Sequence, residues 1–430
     1  MMPAHIPPVQ ELSGVINLPA SKSFSIRALM IAGCGGSSTI IRPSNCDDAI
    51  AARQVIGQLG AGVRRSGDDI WRVEAPAQLC PAAVIDVNES GTVLRFLLPL
   101  ISALGEKTKV VGRGTLRGRP NLHLTRTLRA MGADIKGRGE NEGIPVICRG
   151  GRLRGGRLKV DGSLSSQFIS ALLITCPLLE GDTVLRITGR KLVSRDYIVM
   201  TKQVLELAGI RIQERGHREY VIPGRQVFRG LRNFQVPSDY GLAAFPLAAA
   251  ALLPSEVTLK GYFNDRFAQA DGAILPFLEK MGAEVRRAGK SLKIKGPSAL
   301  KGGIFSLKDC PDLVPVMSVL AMFAEGRTVL KDISHVRAKE SDRISDLRRE
   351  LLKAGADARE TEGSLVIMPR AQYRAGALLD PRNDHRLAMA FSVLGMKIGT
   401  RVKDLQCVSK SYPDFTRDIR QLGAVVKFNR

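Results

Sequence analysis

One short phrase recurs along the chain: an apolar residue, a glycine and usually an alanine close a helix-like stretch and run into a strand-like one. Its six copies are Leu59-Gly60-Ala61, Met131-Gly132-Ala133, Ala208-Gly209-Ile210, Met281-Gly282-Ala283, Ala354-Gly355-Ala356 and Leu422-Gly423-Ala424. The glycines are 72, 77, 73, 73 and 68 residues apart, close to one sixth of the chain each time. Before them the apolar residues keep helical spacing. Leu124, Leu128 and Met131 share one face, as do Phe415, Ile419 and Leu422, and as do Ile344, Leu347, Leu351 and Ala354. A glycine at such a helix end predicts a positive φ, which costs it no side-chain clash. Runs rich in β-branched residues predict strands at Thr108 to Val111, Thr183 to Ile187, Glu256 to Leu259 and Arg327 to Leu330. The pattern therefore predicts a mixed α/β module used six times.

The longest apolar runs, Leu242 to Pro254 and Leu313 to Ala324, fall short of the roughly 20 residues of a membrane helix and contain proline. No membrane span is expected. A length of 430 residues with 44% hydrophobic and 24% charged residues fits two or three globular domains at roughly 150 residues each. Charge adds something that periodicity does not: 64 Lys and Arg against 41 Asp and Glu leave a net +23, so the surface attracts anions. Only 5% of the residues are aromatic and the basic ones are dispersed over all six repeats, so a basic nucleic-acid-binding protein is the weaker reading and no specific nucleic-acid partner is expected. The seven cysteines are scattered, odd in number and never spaced C-x-x-C, which argues against a disulfide framework or a zinc ribbon. They are expected to be reduced and mostly buried. Met1 to Ser21 has neither a basic leader nor an apolar core, so a cytoplasmic location is expected.

Candidate chemistry gathers where helices should begin. Ser21-Lys22-Ser23 and Arg27 put hydroxyls and cations at one helix start, where free N–H groups and the dipole also favour an anion. In Asn88 to Arg95 and in Arg113 to Pro120, Gly91 lets a ligand reach the backbone, Thr92 is placed to cap, and the arginines, Arg95 and Arg119 among them, are expected to clamp carboxylate or phosphate. Asp161 to Phe168 is a hydroxyl-rich start suited to phosphate oxygens. Arg337 to Arg343 and Asn383 to Arg386 mix acid and base, and a Glu flanked by cations can sit ionised or exchange protons. Asp312 and Asp384 also read as simple helix caps.

Together these segments, with Arg119-Pro120, Ser165-Ser166-Gln167 and Lys410 ahead of Tyr412-Pro413-Asp414, resemble the enolpyruvyl transferases over essentially the whole chain. The resemblance implies a two-domain fold, inside-out and α/β barrel-like, of six βαβαββ-type units, three per domain. By analogy the first domain is residues 1–21 plus 237–430 and the second 22–236, with the active site in the cleft between them. It implies transfer of the enolpyruvyl group of phosphoenolpyruvate to the 5-hydroxyl of shikimate 3-phosphate by addition and elimination, with no cofactor and no metal. Lys22, Gly91, Arg119, Gln167, Arg343, Arg386 and Lys410 would surround phosphoenolpyruvate. Lys22, Ser23, Arg27, Ser165, Ser166, Gln167, Ser194, Tyr197, Asp312, His335 and Lys339 would take shikimate 3-phosphate. Lys22, Asp312 and Glu340 are the proton-transfer candidates, and a monomer is expected.

Some positions depart from the commoner pattern: Glu89 stands for Asn, Phe96 for proline, His335 for Asn, and Asp239-Tyr240-Gly241 for a small-residue run. Gly91 implies sensitivity to glyphosate. The rival within the family, transfer to UDP-N-acetylglucosamine, typically shows Ser-Lys-Asn at the first motif and a cysteine in the loop that here reads Thr115 to Arg119; this chain has neither.

Overall fold

The computed structural model describes residues 2–67 and 69–428. Among the described residues the strands form six four-stranded sheets of one design. In the sheet of Val84–Asp86, Thr108–Val111, Ala133–Arg138 and Gly143–Gly151, the first two strands are parallel and enclose the helix Gly91–Leu104. The helix Leu122–Ala130 follows, and the last two strands return antiparallel, the fourth pairing with both the second and the third. Gly156–Ile222 and Ile304–Met368 repeat this βαβαββ order without interruption.

The other three modules are completed from a distance. Phe234–Gln235 lies parallel to Ser37–Ile41, and Leu12–Asn17 lies parallel to Ser255–Lys260. Ala4–Ile6 is inserted between Thr400–Val402 and Lys427–Phe428. Two compact units result. One runs to Pro19, resumes over Ser238–Phe263 and continues from Gln269; the other comprises Ala20–Pro237 with the short segment Asn264–Ala268. Each contains three of the six modules.

The repeated phrase has the conformation expected of it. Gly60, Gly132, Gly209, Gly282, Gly355 and Gly423 all take φ between +84° and +105°, which L side chains rarely adopt, and so end their helices and turn the chain into the next strand. The stripes that precede them are buried, with Leu124, Leu128, Ile344, Leu347, Leu351, Ala354 and Phe415 fully enclosed. Tyr240–Leu252 and Val314–Met322 are apolar on every side because they are core helices, surrounded by protein. Among the described residues no helix is long and apolar enough to cross a membrane. All seven cysteines are free; five are buried, Cys34 is half-buried and Cys80 is exposed.

Candidate active site

In the unit that begins at Ala20, the helix Lys22–Ala32 opens with Lys22, whose Nζ donates to Asp48 at 3.0 Å. One turn on, Arg27 is buried and satisfied by protein: Nε donates to Thr201 Oγ1 at 2.8 Å, and the two terminal nitrogens donate to the carbonyls of Ser23 and Tyr197. Its guanidinium lies 5.4 Å from the Phe96 ring centre and 5.7 Å from that of Tyr197. Burial draws its pKa down to about 10, which still leaves it charged at neutral pH. The helix Arg195–Leu207 that presents Tyr197 starts after Ser194, a residue in the left-handed conformation with φ 55°.

A second group forms around the helix Gly91–Leu104. Ser90 is its cap, accepting from Val93 N at 3.4 Å, and Thr92 instead accepts from Gln167 Nε2 at 2.8 Å. The expectation that Thr92 caps is therefore corrected: the cap lies two residues earlier, at Ser90, which leaves the Thr92 hydroxyl to a neighbouring helix. Arg95, expected among the cations facing substrate, is buried and donates to Gln167 Oε1, Asn121 Oδ1 and the Pro120 carbonyl. It holds the Arg119 loop and Gln167 in place. Arg119 lies directly over Gly91, where a Cβ would come within 2.7 Å of its Cζ. Ser165 caps the helix Ser166–Thr175 through Gln167 N, so Ser165, Ser166 and Gln167 share one helix start.

The other unit contains a dense cluster of opposite charges. Arg343, 1% exposed, donates through Nη1 to Asp312 at 2.8 Å, through Nη2 to Glu340 at 3.0 Å, and through Nε to Asp384 at 2.8 Å. Asp312 also pairs with Arg386 at 3.1 Å. Burial by itself would raise the Asp312 pKa, but Arg386, Arg343 and Lys339 outweigh it and hold the carboxyl well below the usual range. Burial would likewise lower the Arg343 pKa, and its three carboxylates instead raise it well above the ordinary value. The capping reading of Asp312 does not hold, because its carboxylate is given to two arginines and the helix Val314–Met322 has no side-chain cap. Asp384 does cap: it accepts from Arg386 N at 2.9 Å as well as from Arg343 and Ser341.

Three further residues join this cluster. Arg386 Nη1 donates to the Gly241 carbonyl at 2.6 Å, and a Cβ on Gly241 would meet both Arg386 and Asp271, which explains the glycine in Asp239-Tyr240-Gly241. Lys410 Nζ donates to the Asn383 carbonyl at 2.7 Å. His335, in the short 3-10 helix Ser334–Ala338, is buried with no hydrogen-bond partner for either ring nitrogen. Desolvation, reinforced by Lys339 and Arg343 and opposed by Asp312, lowers its pKa to about 3 and keeps it neutral.

Within each unit, then, the expected residues converge. Ser23, Arg27 and Tyr197 meet in one, with Lys22 at the same helix start but paired to Asp48, as do Gly91, Arg119 and Gln167; Asp312, Glu340, Arg343 and Arg386 meet in the other. Asp48 and Asn121 were missed by the sequence reading. The signal for Asp48 was only an acidic pair in the first turn of a helix, which reads equally well as a complement to the helix dipole. Asn121 donates to the nearby Arg119 carbonyl, but its other partners, Arg95 and the Glu142 carbonyl, are distant in sequence and no local pattern announces them.

The chain is similar to known proteins over nearly its whole length. A family model described as EPSP synthase (3-phosphoshikimate 1-carboxyvinyltransferase) matches residues 6–419. A 3-phosphoshikimate 1-carboxyvinyltransferase of Methanothrix thermoacetophila is 40% identical over 97% of this chain and 97% of its own. One of Methanosarcina mazei is 38% identical with the same coverage of both chains. The solved structure of EPSP synthase from Acinetobacter baumannii superposes with a TM-score of 0.80 at 26% identity, covering 100% of both chains.

Proposed function

This chain belongs to the EPSP synthase (3-phosphoshikimate 1-carboxyvinyltransferase) family, and from that premise we propose which of its residues carry the reaction. The enzyme transfers the enolpyruvyl group of phosphoenolpyruvate to shikimate 3-phosphate, in the shikimate pathway of aromatic amino acid biosynthesis. In the addition, the 5-hydroxyl oxygen bonds to C2 of phosphoenolpyruvate, loses its proton, and C3 gains one. In the elimination, the bond from C2 to the phosphate oxygen breaks, inorganic phosphate leaves, and C3 returns a proton.

Lys22, Gly91, Arg119, Gln167, Arg343, Arg386 and Lys410 bind phosphoenolpyruvate in this proposal. Lys22, Ser23, Arg27, Ser165, Ser166, Gln167, Ser194, Tyr197, Asp312, His335 and Lys339 bind shikimate 3-phosphate. The phosphate-binding hydroxyls belong to one unit and the carboxylates Asp312 and Glu340 to the other. Arg119, Arg343, Arg386 and Lys410 stabilise the charge that builds on the departing phosphate. The observation that carries the reading is the Asp312 bridge between Arg343 and Arg386, with Glu340 on the same guanidinium. Held ionised there, Asp312 is a weak base, better suited to accepting from the ring hydroxyls and orienting the 5-hydroxyl. Glu340 is tied to Arg343 by one ion pair. An incoming substrate carboxylate that takes this arm of the guanidinium breaks that ion pair, and Glu340 carries the C3 proton, with Lys22 as the second proton-transfer group. The protein acts as a cytoplasmic monomer in this account; its exposed large apolar side chains, such as Val227 and Ile304, lie in separate segments.

Phosphate release tests the reading. It should require phosphoenolpyruvate and shikimate 3-phosphate together, with neither sufficing alone. Lys22→Ala and Glu340→Ala should each lower turnover by about 100-fold or more, as expected for lost proton transfer. Lys290→Ala, in an exposed hairpin, should leave it unchanged. Turnover with UDP-N-acetylglucosamine in place of shikimate 3-phosphate would overturn the assignment.

A further inference from the structure

Glu89 brings an acid close to the phosphoenolpyruvate-binding residues, and its surroundings give it a definite task. The turn before the helix Gly91–Leu104 is fixed by Asn88, in the left-handed conformation at φ 56°, whose N–H donates to Asp86 Oδ1 at 2.7 Å. The Asn88 carbonyl accepts from Arg113 N at 2.8 Å, the first bond from this turn to the loop that leads to Arg119. The second comes from Glu89, whose Oε2 accepts from Thr115 N at 3.2 Å. Between them lies Gly114, at φ 57°, with the Glu89 carboxylate packed against it. A Cβ at position 114 would have no room, since it would fall on both carboxylate oxygens and Cδ. Two residues past Glu89, Gly91 lies under the Arg119 guanidinium. The segment 86–91 therefore grips the loop at its start and at its end.

The middle of the loop is held on its inner side by Leu116 and open to solvent on its outer side. The 3-10 turn Gly114–Gly118 buries only Leu116, and Arg113, Gly114, Arg117 and Gly118 are exposed. A backbone turn of this kind loosens readily unless its N–H groups are engaged. An acidic side chain accepts such a bond more strongly than a neutral amide does.

We propose that Glu89 is a positioning residue for phosphoenolpyruvate: its carboxylate fastens the Gly114–Gly118 turn and so holds the Arg119 guanidinium over Gly91. The proposal rests on the reading of Arg119 as a phosphoenolpyruvate ligand. It assigns Glu89 no direct contact with substrate.

Two readouts separate the proposal from that underlying reading, each applied to wild type, Glu89→Gln and Glu89→Ala, with thermal midpoints confirming that the variants fold. The first is the rate of tryptic cleavage after Arg113 and Arg117 without substrate, followed by mass spectrometry. Glu89→Ala should be cut about 10-fold faster or more, as expected for a loop that opens more often. Glu89→Gln, which keeps an acceptor of the same reach, should fall between it and wild type. The second is steady-state kinetics: Glu89→Ala should raise KM for phosphoenolpyruvate about 10-fold while kcat and KM for shikimate 3-phosphate change by less than about 3-fold. Wild-type cleavage rates in Glu89→Ala would overturn the part assigned to Glu89. Faster cleavage with an unchanged KM for phosphoenolpyruvate would overturn the link from this turn to binding, and so the proposal, while leaving the role of Arg119 to its own test.

Discussion

The buried imidazole of His335 makes stability depend on pH in a way that one substitution isolates. Only 4% of the residue is exposed, neither ring nitrogen has a hydrogen-bond partner, and burial, Lys339 and Arg343 together bring its pKa from 6.5 to about 3 against the pull of Asp312. A base with a depressed folded pKa is protonated in the unfolded chain while still neutral in the native one. Its contribution is therefore fully present above pH 6.5, declines as pH falls, and is spent near pH 3. At pH 5 the unfolded imidazole is almost entirely charged and the folded one is not. Each pH unit below the unfolded pKa is worth about 1.4 kcal/mol, so the linkage amounts to about 2 kcal/mol there. Because pH 5 lies between the two values, the folded pKa itself drops out of this figure. His335→Asn keeps a polar side chain and removes the titration. Urea unfolding followed by far-UV circular dichroism at pH 7.5 and pH 5 should show wild type losing about 2 kcal/mol more than the variant on acidification. Equal losses in the two proteins would refute the reasoning, whatever their stabilities at pH 7.5.

Two other substitutions probe the candidate site. Gly91→Ala would place a Cβ within 2.7 Å of Arg119 Cζ, so the guanidinium must move; KM for phosphoenolpyruvate should rise about 10-fold or more. Wild type should be inhibited by glyphosate in competition with phosphoenolpyruvate, and the variant should resist it. An unchanged KM and unchanged inhibition would show that Arg119 has no fixed place over Gly91. Asp384→Asn leaves Arg343 buried with one carboxylate fewer and should cost about 3–5 kcal/mol of stability at neutral pH, the range for a broken buried ion pair. A loss below about 1 kcal/mol by urea unfolding would mean that Asp312 and Glu340 suffice for Arg343.

What the sequence made legible is what repeats locally. A glycine with positive φ after an apolar stripe is a short-range signal, and it located all six turns between helix and strand. The strands that complete three of the modules carry no such signal. Ala4–Ile6 and Phe234–Gln235 are too short for an alternating pattern, and their pairing with Thr400–Val402 and Ser37–Ile41 is decided by neighbours hundreds of residues away. The same distinction runs through the site. Motif positions such as Ser165-Ser166-Gln167 and Asn383 to Arg386 fall at helix starts as their residue types require. What each charged group faces is a long-range fact: Arg95 reads as a substrate clamp until Gln167, Asn121 and Pro120 are seen to occupy it.

The positive excess takes on a different meaning once partners are visible. Counted along the chain, Lys22, Arg343 and Arg386 look like free charge awaiting anions; in the fold, Asp48, Asp312, Glu340 and Asp384 already neutralise them in part. Most of the cost of burying Arg343 is thus offset within the protein, and its guanidinium is oriented before any ligand arrives. In the proposed assignment a substrate carboxylate has to exchange with a protein carboxylate, which makes total positive charge a poor guide to affinity. Discrimination would then come from geometry, since only an anion matching the fork of Arg343 or Arg386 can replace a bond already made. Removing a carboxylate from this cluster should therefore weaken selectivity among anions even where it adds net positive charge. The dispersed surface cations, such as Arg152 and Arg286, are paired only at exposed sites worth little, and solvent screens them. They add to net charge without the fixed geometry that makes the buried set selective.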